Sequence, residues 1–134
     1  MLIPVAVQPA QMIVPGVAPT PWIPEGRVTE LKGLIDTGAS GTCLTRSAAL
    51  KVGIRSRGKT NMSGVHGVAP RNRQRFSLGA IYNDNGERGY FWFEEVSGAE
   101  MADNGVFDVL IGMDVISQGD LHVMRDGHFS WVLG

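Results

Sequence analysis

Short apolar runs broken at close intervals by glycine, proline, asparagine and aspartate dominate the chain, and helical periodicity is scarce. Residues 2–8 predict a first strand. The rough alternation from Arg27 to Gly33, running into Leu34 and Ile35, predicts a half-buried second one. Thr42 to Thr45 suits a short strand, and Arg46 to Lys51 one or two helical turns ending near Gly53. Further on, Lys59 to Met62 and Arg71 to Leu78 flank Ser63-Gly64-Val65-His66-Gly67-Val68, a hairpin with glycines at its tip. Ala80 to Tyr82 and Gly89 to Phe93 flank an Asn83-Asp84-Asn85-Gly86 turn, with the aromatic run from Tyr90 to Phe93 expected in the core. Val106 to Ile111 predicts another strand, and Leu121 to Met124 with His128 to Leu133 a last hairpin about Asp126-Gly127.

With 18 glycines and 7 prolines in 134 residues, the composition agrees with an all-β chain, and the length suits a single domain over 1–134 with one sizeable core. Residues 9–26 form a proline-punctuated connector, too stiff for a helix, whose Ile13 and Trp22 are expected to pack on the body. A formal net charge of −1 gives no reason to expect nucleic acid or an acidic membrane surface as partner. The one cysteine, Cys43, excludes an intrachain disulfide, so nothing demands an oxidising compartment. The apolar start of the chain has no basic flank and is cut by Pro4, Pro9 and Pro15, which fits neither a signal peptide nor a membrane span; a cytoplasmic location is expected.

Chemistry concentrates at Leu34-Ile35-Asp36-Thr37-Gly38-Ala39-Ser40. Two aliphatic residues deliver one carboxylate from a strand into a tight turn that Gly38 permits. A carboxylate in that position is partly desolvated, with hydroxyl and backbone donors nearby, an environment that tunes an acid for proton transfer. An ordinary turn would explain the triplet alone. A second element, Val109-Leu110-Ile111-Gly112-Met113-Asp114, stands far downstream.

Together the two elements resemble the retropepsin-like aspartic peptidases, in which a hydrophobic-hydrophobic-Asp-Thr/Ser-Gly loop is braced by a hydrophobic-hydrophobic-Gly strand leading into a short helix. The resemblance runs from about Val28 to the end of the chain. It implies a closed acid-protease β-barrel with a flap hairpin and one short helix, here Gly112 to Ser117, capped around Gln118-Gly119. Residues 59–82 stand where that family carries its flap, and Gly64 and Gly67 would let backbone approach a bound peptide. Met113 departs from the arginine that retroviral members often have there, which removes one polar brace.

By the same resemblance Asp36, Thr37 and Gly38 are the catalytic residues: Asp36 as the acid, Thr37 holding two loops in register, Gly38 bringing its amide to the carboxylates. Asp108, Asp114, Asp120 and Asp126 all lack a following Thr/Ser-Gly, so one chain supplies one acid of the pair this chemistry uses. A homodimer with two copies of Asp36 about its two-fold axis follows. Cys43, Gly64, Val65, His66, Asp108, Leu110 and Ile111 would contact a peptide or protein substrate, with a preference for hydrophobic residues at the scissile bond. Cys43 also suits a plain buried thiol, and His66 a solvated imidazole. Arg71, Arg73 and Arg75 would share one strand face, either a solvated edge or a basic stripe for an acidic segment or RNA. No metal-ligand spacing, phosphate loop or Ser-His-Asp order is evident, so neither cofactor nor metal is expected. A non-catalytic dimerisation or peptide-binding module on the same fold is the alternative.

Overall fold

The computed structural model describes residues 1–10, 28–54, 59–64 and 67–134. The strands are β1 (Leu2–Pro9), β2 (Thr29–Ile35), β3 (Cys43–Leu44), β4 (Lys59–Gly64), β5 (Gly67–Asp84), β6 (Glu87–Ala99), β7 (Val109–Ile111), β8 (Asp120–Val123) and β9 (Phe129–Val132). Among the described residues two helices, α1 (Arg46–Val52) and α2 (Met113–Ile116), lie between them, at the two places where helical turns were expected. Most of the proline-rich connector falls outside the described residues.

The main sheet runs β3-β7-β2-β1-β5-β4, with β6 also on β5. β1 is central, antiparallel to β2 on one side and to β5 on the other, and Val5, Ala6 and Val7 are wholly buried. Burial on both faces explains why it reads as an unbroken apolar run rather than an alternation. The sheet curls until the outer edge of β3 meets the end of β6. There Met101 bridges Thr45, its N–H donating to the Leu44 carbonyl (3.0 Å) while Arg46 N–H donates to the Met101 carbonyl (2.9 Å). This seam is a single bridge, so closure of the barrel rests on few hydrogen bonds. Gly98 lies so near Thr42 that a Cβ on it would stand 3.0 Å from the Thr42 carbonyl carbon and closer still to the oxygen.

β5 and β6 form one long antiparallel ribbon that continues through a register shift between Phe76 and Leu78. The expected separate pieces, Arg71 to Leu78 and Ala80 to Tyr82, are therefore one strand. The aromatic run divides by strand alternation: Phe93 is buried, while Tyr90 and Trp92 stack on the opposite face with ring centroids 5.6 Å apart. Of the arginine stripe, Arg71 and Arg73 are exposed and Arg75 pairs with Glu95, and the intervening Gln74 is buried.

Val5, Val7, Leu31, Ile35, Leu44, Phe76, Leu78, Phe93, Val109 and Ile111 fill the barrel. α1 starts at Thr45, whose hydroxyl accepts from Ala48 N–H (3.2 Å), and stops at Gly53, where φ of 87° suits glycine. The β8–β9 hairpin closes one end: Trp131 stacks on Phe93 with centroids 5.7 Å apart and donates its indole N–H to the Ile116 carbonyl (3.2 Å).

Candidate active site

β2 and β7 run parallel, pairing Gly33 with Val109, Leu34 with Leu110 and Ile35 with Ile111. The two motifs of the sequence therefore leave the sheet side by side. Asp36, just past β2, continues the pairing by donating its N–H to the Ile111 carbonyl (3.0 Å). Its carboxylate is half-buried, and Oδ1 accepts from Gly38 N–H at 2.9 Å. Thr37 and Gly38 are exposed at the turn, which Ala39 N–H closes onto the Asp36 carbonyl (3.2 Å).

The second motif braces this loop from behind. Met113 N–H donates to the Ala39 carbonyl (2.8 Å) and Asp114 N–H to the Ser40 carbonyl (3.2 Å), so the first turn of α2 grips the loop through otherwise unpaired helix N–H groups. Gly112 is held against Gly41 so closely that a Cβ would come 2.7 Å from the Gly41 carbonyl carbon. Only glycine fits there.

A side-chain link completes the brace. Thr42, wholly buried, donates its hydroxyl to Asp114 Oδ1 (2.7 Å) and accepts from Gly112 N–H (3.0 Å), while Thr42 N–H reaches Asp114 Oδ2 (3.3 Å). The polar brace expected to be lost with Met113 is thus made one residue later, by Asp114. Neither Thr42 nor Asp114 was among the site residues read from the sequence. The available signal was an acid in the first turn of a helix opening after Gly112, a position that favours a carboxylate.

The expected substrate residues divide. Leu110 is half-buried, and its register partners Leu34 and Cys43 share its face of the sheet. Ile111 points the other way and has no exposed surface; it is a core residue, which corrects its assignment to a substrate pocket. Cys43 is 5% exposed, and burial pushes its thiol pKa up, with the charge of Asp114 acting in the same direction and a hydrogen bond from the Ala99 backbone opposing them. It sits beneath the wall rather than on it. Asp108 faces the β2 backbone: Oδ2 accepts from Lys32 N–H (2.9 Å), and Asp108 N–H donates to the Lys32 carbonyl (2.8 Å). It also borders two clefts of about 290 Å³ and 410 Å³ that meet at Lys32. Gly64 pairs with Gly67 at the end of the β4–β5 hairpin, and Val65 and His66 lie outside the described residues. Asp108 and Asp114 are each committed to backbone or hydroxyl donors, and Asp36 is the acid at the loop tip.

A strand-borne carboxylate in a glycine turn, gripped by a second strand-glycine-helix element, defines a class of all-β fold built to present one acid. Residues 25–115, more than half of the chain, match the profile of a family described as aspartyl protease, and the chain belongs to that family. No curated protein matches it. Among solved structures, that of a retropepsin-like aspartic protease from Rickettsia conorii is similar, at 17% identity over 77% of each chain with a TM-score of 0.47.

Proposed function

We propose that the chain is an aspartic endopeptidase that works as a homodimer, each copy contributing Asp36. Two carboxyls about 3 Å apart cannot both ionise, so the pair holds one proton. The ionised member takes a proton from a bridging water, and the protonated one polarises the scissile carbonyl. Water is the nucleophile; Thr37 holds the loops in register and Gly38 supplies its amide. The observation that carries this reading is the Asp36 loop itself, with its carboxylate on Gly38 N–H and its backbone fastened to Ile111 and Met113.

The β4–β5 hairpin acts as the flap over bound peptide, with Gly64, Val65 and His66 against it. Leu110, with Cys43 beneath it, makes an apolar subsite wall that favours bulky hydrophobic residues beside the scissile bond, and Asp108 allows Lys or Arg nearby. In the dimer, the C-terminal strand β9 is the interface. β1, the other terminal strand, is already paired on both sides from Val5 to Val7. The test is a mixed peptide library incubated at several pH values, with and without an aspartate-directed inhibitor such as pepstatin. Pepstatin-sensitive cleavage at hydrophobic pairs supports the reading; binding without cleavage at any pH assigns the chain to the non-catalytic module instead.

A further inference from the structure

Away from the Asp36 loop, between α1 and the ribbon of β5 and β6, lies a pocket of about 240 Å³. Gln74 of β5 and Ala49 of α1 are its buried residues, and Arg46 and Leu50 its exposed ones. Gln74 is 2% exposed, and its Oε1 accepts from Leu44 N–H at 3.1 Å. That bond fixes the amide orientation, because the flipped amide would set donor against donor. Nε2, itself buried, is left with N–H groups that meet no acceptor among the described residues. An unmet buried donor is costly, so an acceptor brought to it is favoured.

The rest of the pocket sets the chemistry of that acceptor. Arg46 engages no carboxylate at ion-pair distance among the described residues. Glu100 spends Oε2 on Asn72 Nδ2 (3.2 Å), leaving Oε1 for a second donor. Ala49, Leu50 and Ile54 supply an aliphatic side. The volume is below the roughly 300–1,000 Å³ of pockets that take drug-sized ligands, which calls for few heavy atoms.

We propose that this pocket binds a free α-amino acid with an apolar side chain. Its carboxylate meets Gln74 Nε2 and Arg46, its ammonium meets Glu100, and its side chain lies on Leu50 and Ile54. Because Gln74 also holds Leu44 of β3, an occupant fastens the strand that follows the Asp36 loop. Occupancy needs no peptide cleavage, so this site stands or falls apart from the peptidase reading.

The test is a titration followed by NMR of the 15N-labelled chain, with L-leucine into the millimolar range. Saturable shifts of the Gln74 side-chain amide and the Leu44 backbone amide are expected, and 3-methylbutylamine, which lacks the carboxylate, should not produce them. Leucine moving neither signal overturns the proposal, as does the amine moving them equally. Gln74→Glu keeps an oxygen for Leu44 but replaces the free donors, and should weaken leucine binding by about tenfold or more; unchanged affinity also overturns it. If that variant does not fold, the comparison of leucine with the amine on the unaltered chain decides.

Discussion

Thr42 and Asp114, 72 residues apart in sequence, are joined by a hydroxyl-to-carboxylate hydrogen bond of 2.7 Å beneath the Asp36 loop. The same hydroxyl accepts from Gly112, so one buried side chain ties both motifs together. Thr42→Val keeps the shape and removes the hydroxyl, leaving the Gly112 amide unmet. A loss of about 1–3 kcal/mol in unfolding free energy is expected by denaturant titration. Thr42→Ser should recover most of it, and equal stability of Thr42→Val and the unaltered chain would show that the link carries no weight.

Asp36→Asn preserves size and hydrogen-bonding capacity while removing the ionisable group. Peptide cleavage should disappear with fold and assembly retained. Activity within about tenfold of the parent, about 1.4 kcal/mol in barrier, would show that Asp36 is not the acid.

Assembly makes its own prediction. If each copy supplies one acid, specific activity falls on dilution in step with dissociation seen by sedimentation. Constant activity from a sedimenting monomer would remove the paired mechanism.

Glycine contacts separate two neighbouring positions. A Cβ on Gly112 has no room against the Gly41 backbone, so Gly112→Ala should cost about 1–3 kcal/mol or more through overpacking. Gly41 has nothing within 4 Å of its own Cβ position, and Gly41→Ala should be tolerated. Thermal melting of the two variants side by side checks the contrast.

The pH prediction rests on Asp103, whose carboxyl is held below the usual range first by the Ser47 hydroxyl (2.5 Å) and then by Ser47 N–H (3.0 Å). A carboxyl depressed in the folded state adds stability that is present above its unfolded value, about 4, and lost as pH falls through the lower folded one. Ser47→Ala should therefore lower the melting temperature at neutral pH by more than it does in acid below the depressed folded value, where the carboxyl is protonated in both states. An equal deficit in both conditions would assign the effect to packing.

The strand pattern and the Asp36 loop were legible because each is local: alternation marks a half-buried strand, and an acid before Thr-Gly marks a turn. What escaped depends on partners distant in the chain. Residues 2–8 read correctly as a strand, but nothing in Val5-Ala6-Val7 distinguishes a central strand, paired with both β2 and β5, from an apolar edge. Ile111 was assigned to the cleft with Leu110, although adjacent strand residues face opposite ways and only one of them can line it. The register shift after Phe76 hid the continuity of β5, and the role of Asp114 required knowing that Thr42 lies beneath it.

The parallel pairing of β2 with β7 also sets an order of events. Lys32 and Asp108, which touch at its start, are 76 residues apart, and among the described residues the hydrogen bonds that fasten the Asp36 loop from behind come from residues 111–114. On a ribosome the acid emerges long before its support does, and contacts this non-local form slowly even in a finished chain. Until residues 111–114 follow, the nascent protein therefore carries Asp36 on an unfastened loop. The carboxylate gains its fixed setting only once residues 111–114 have been made.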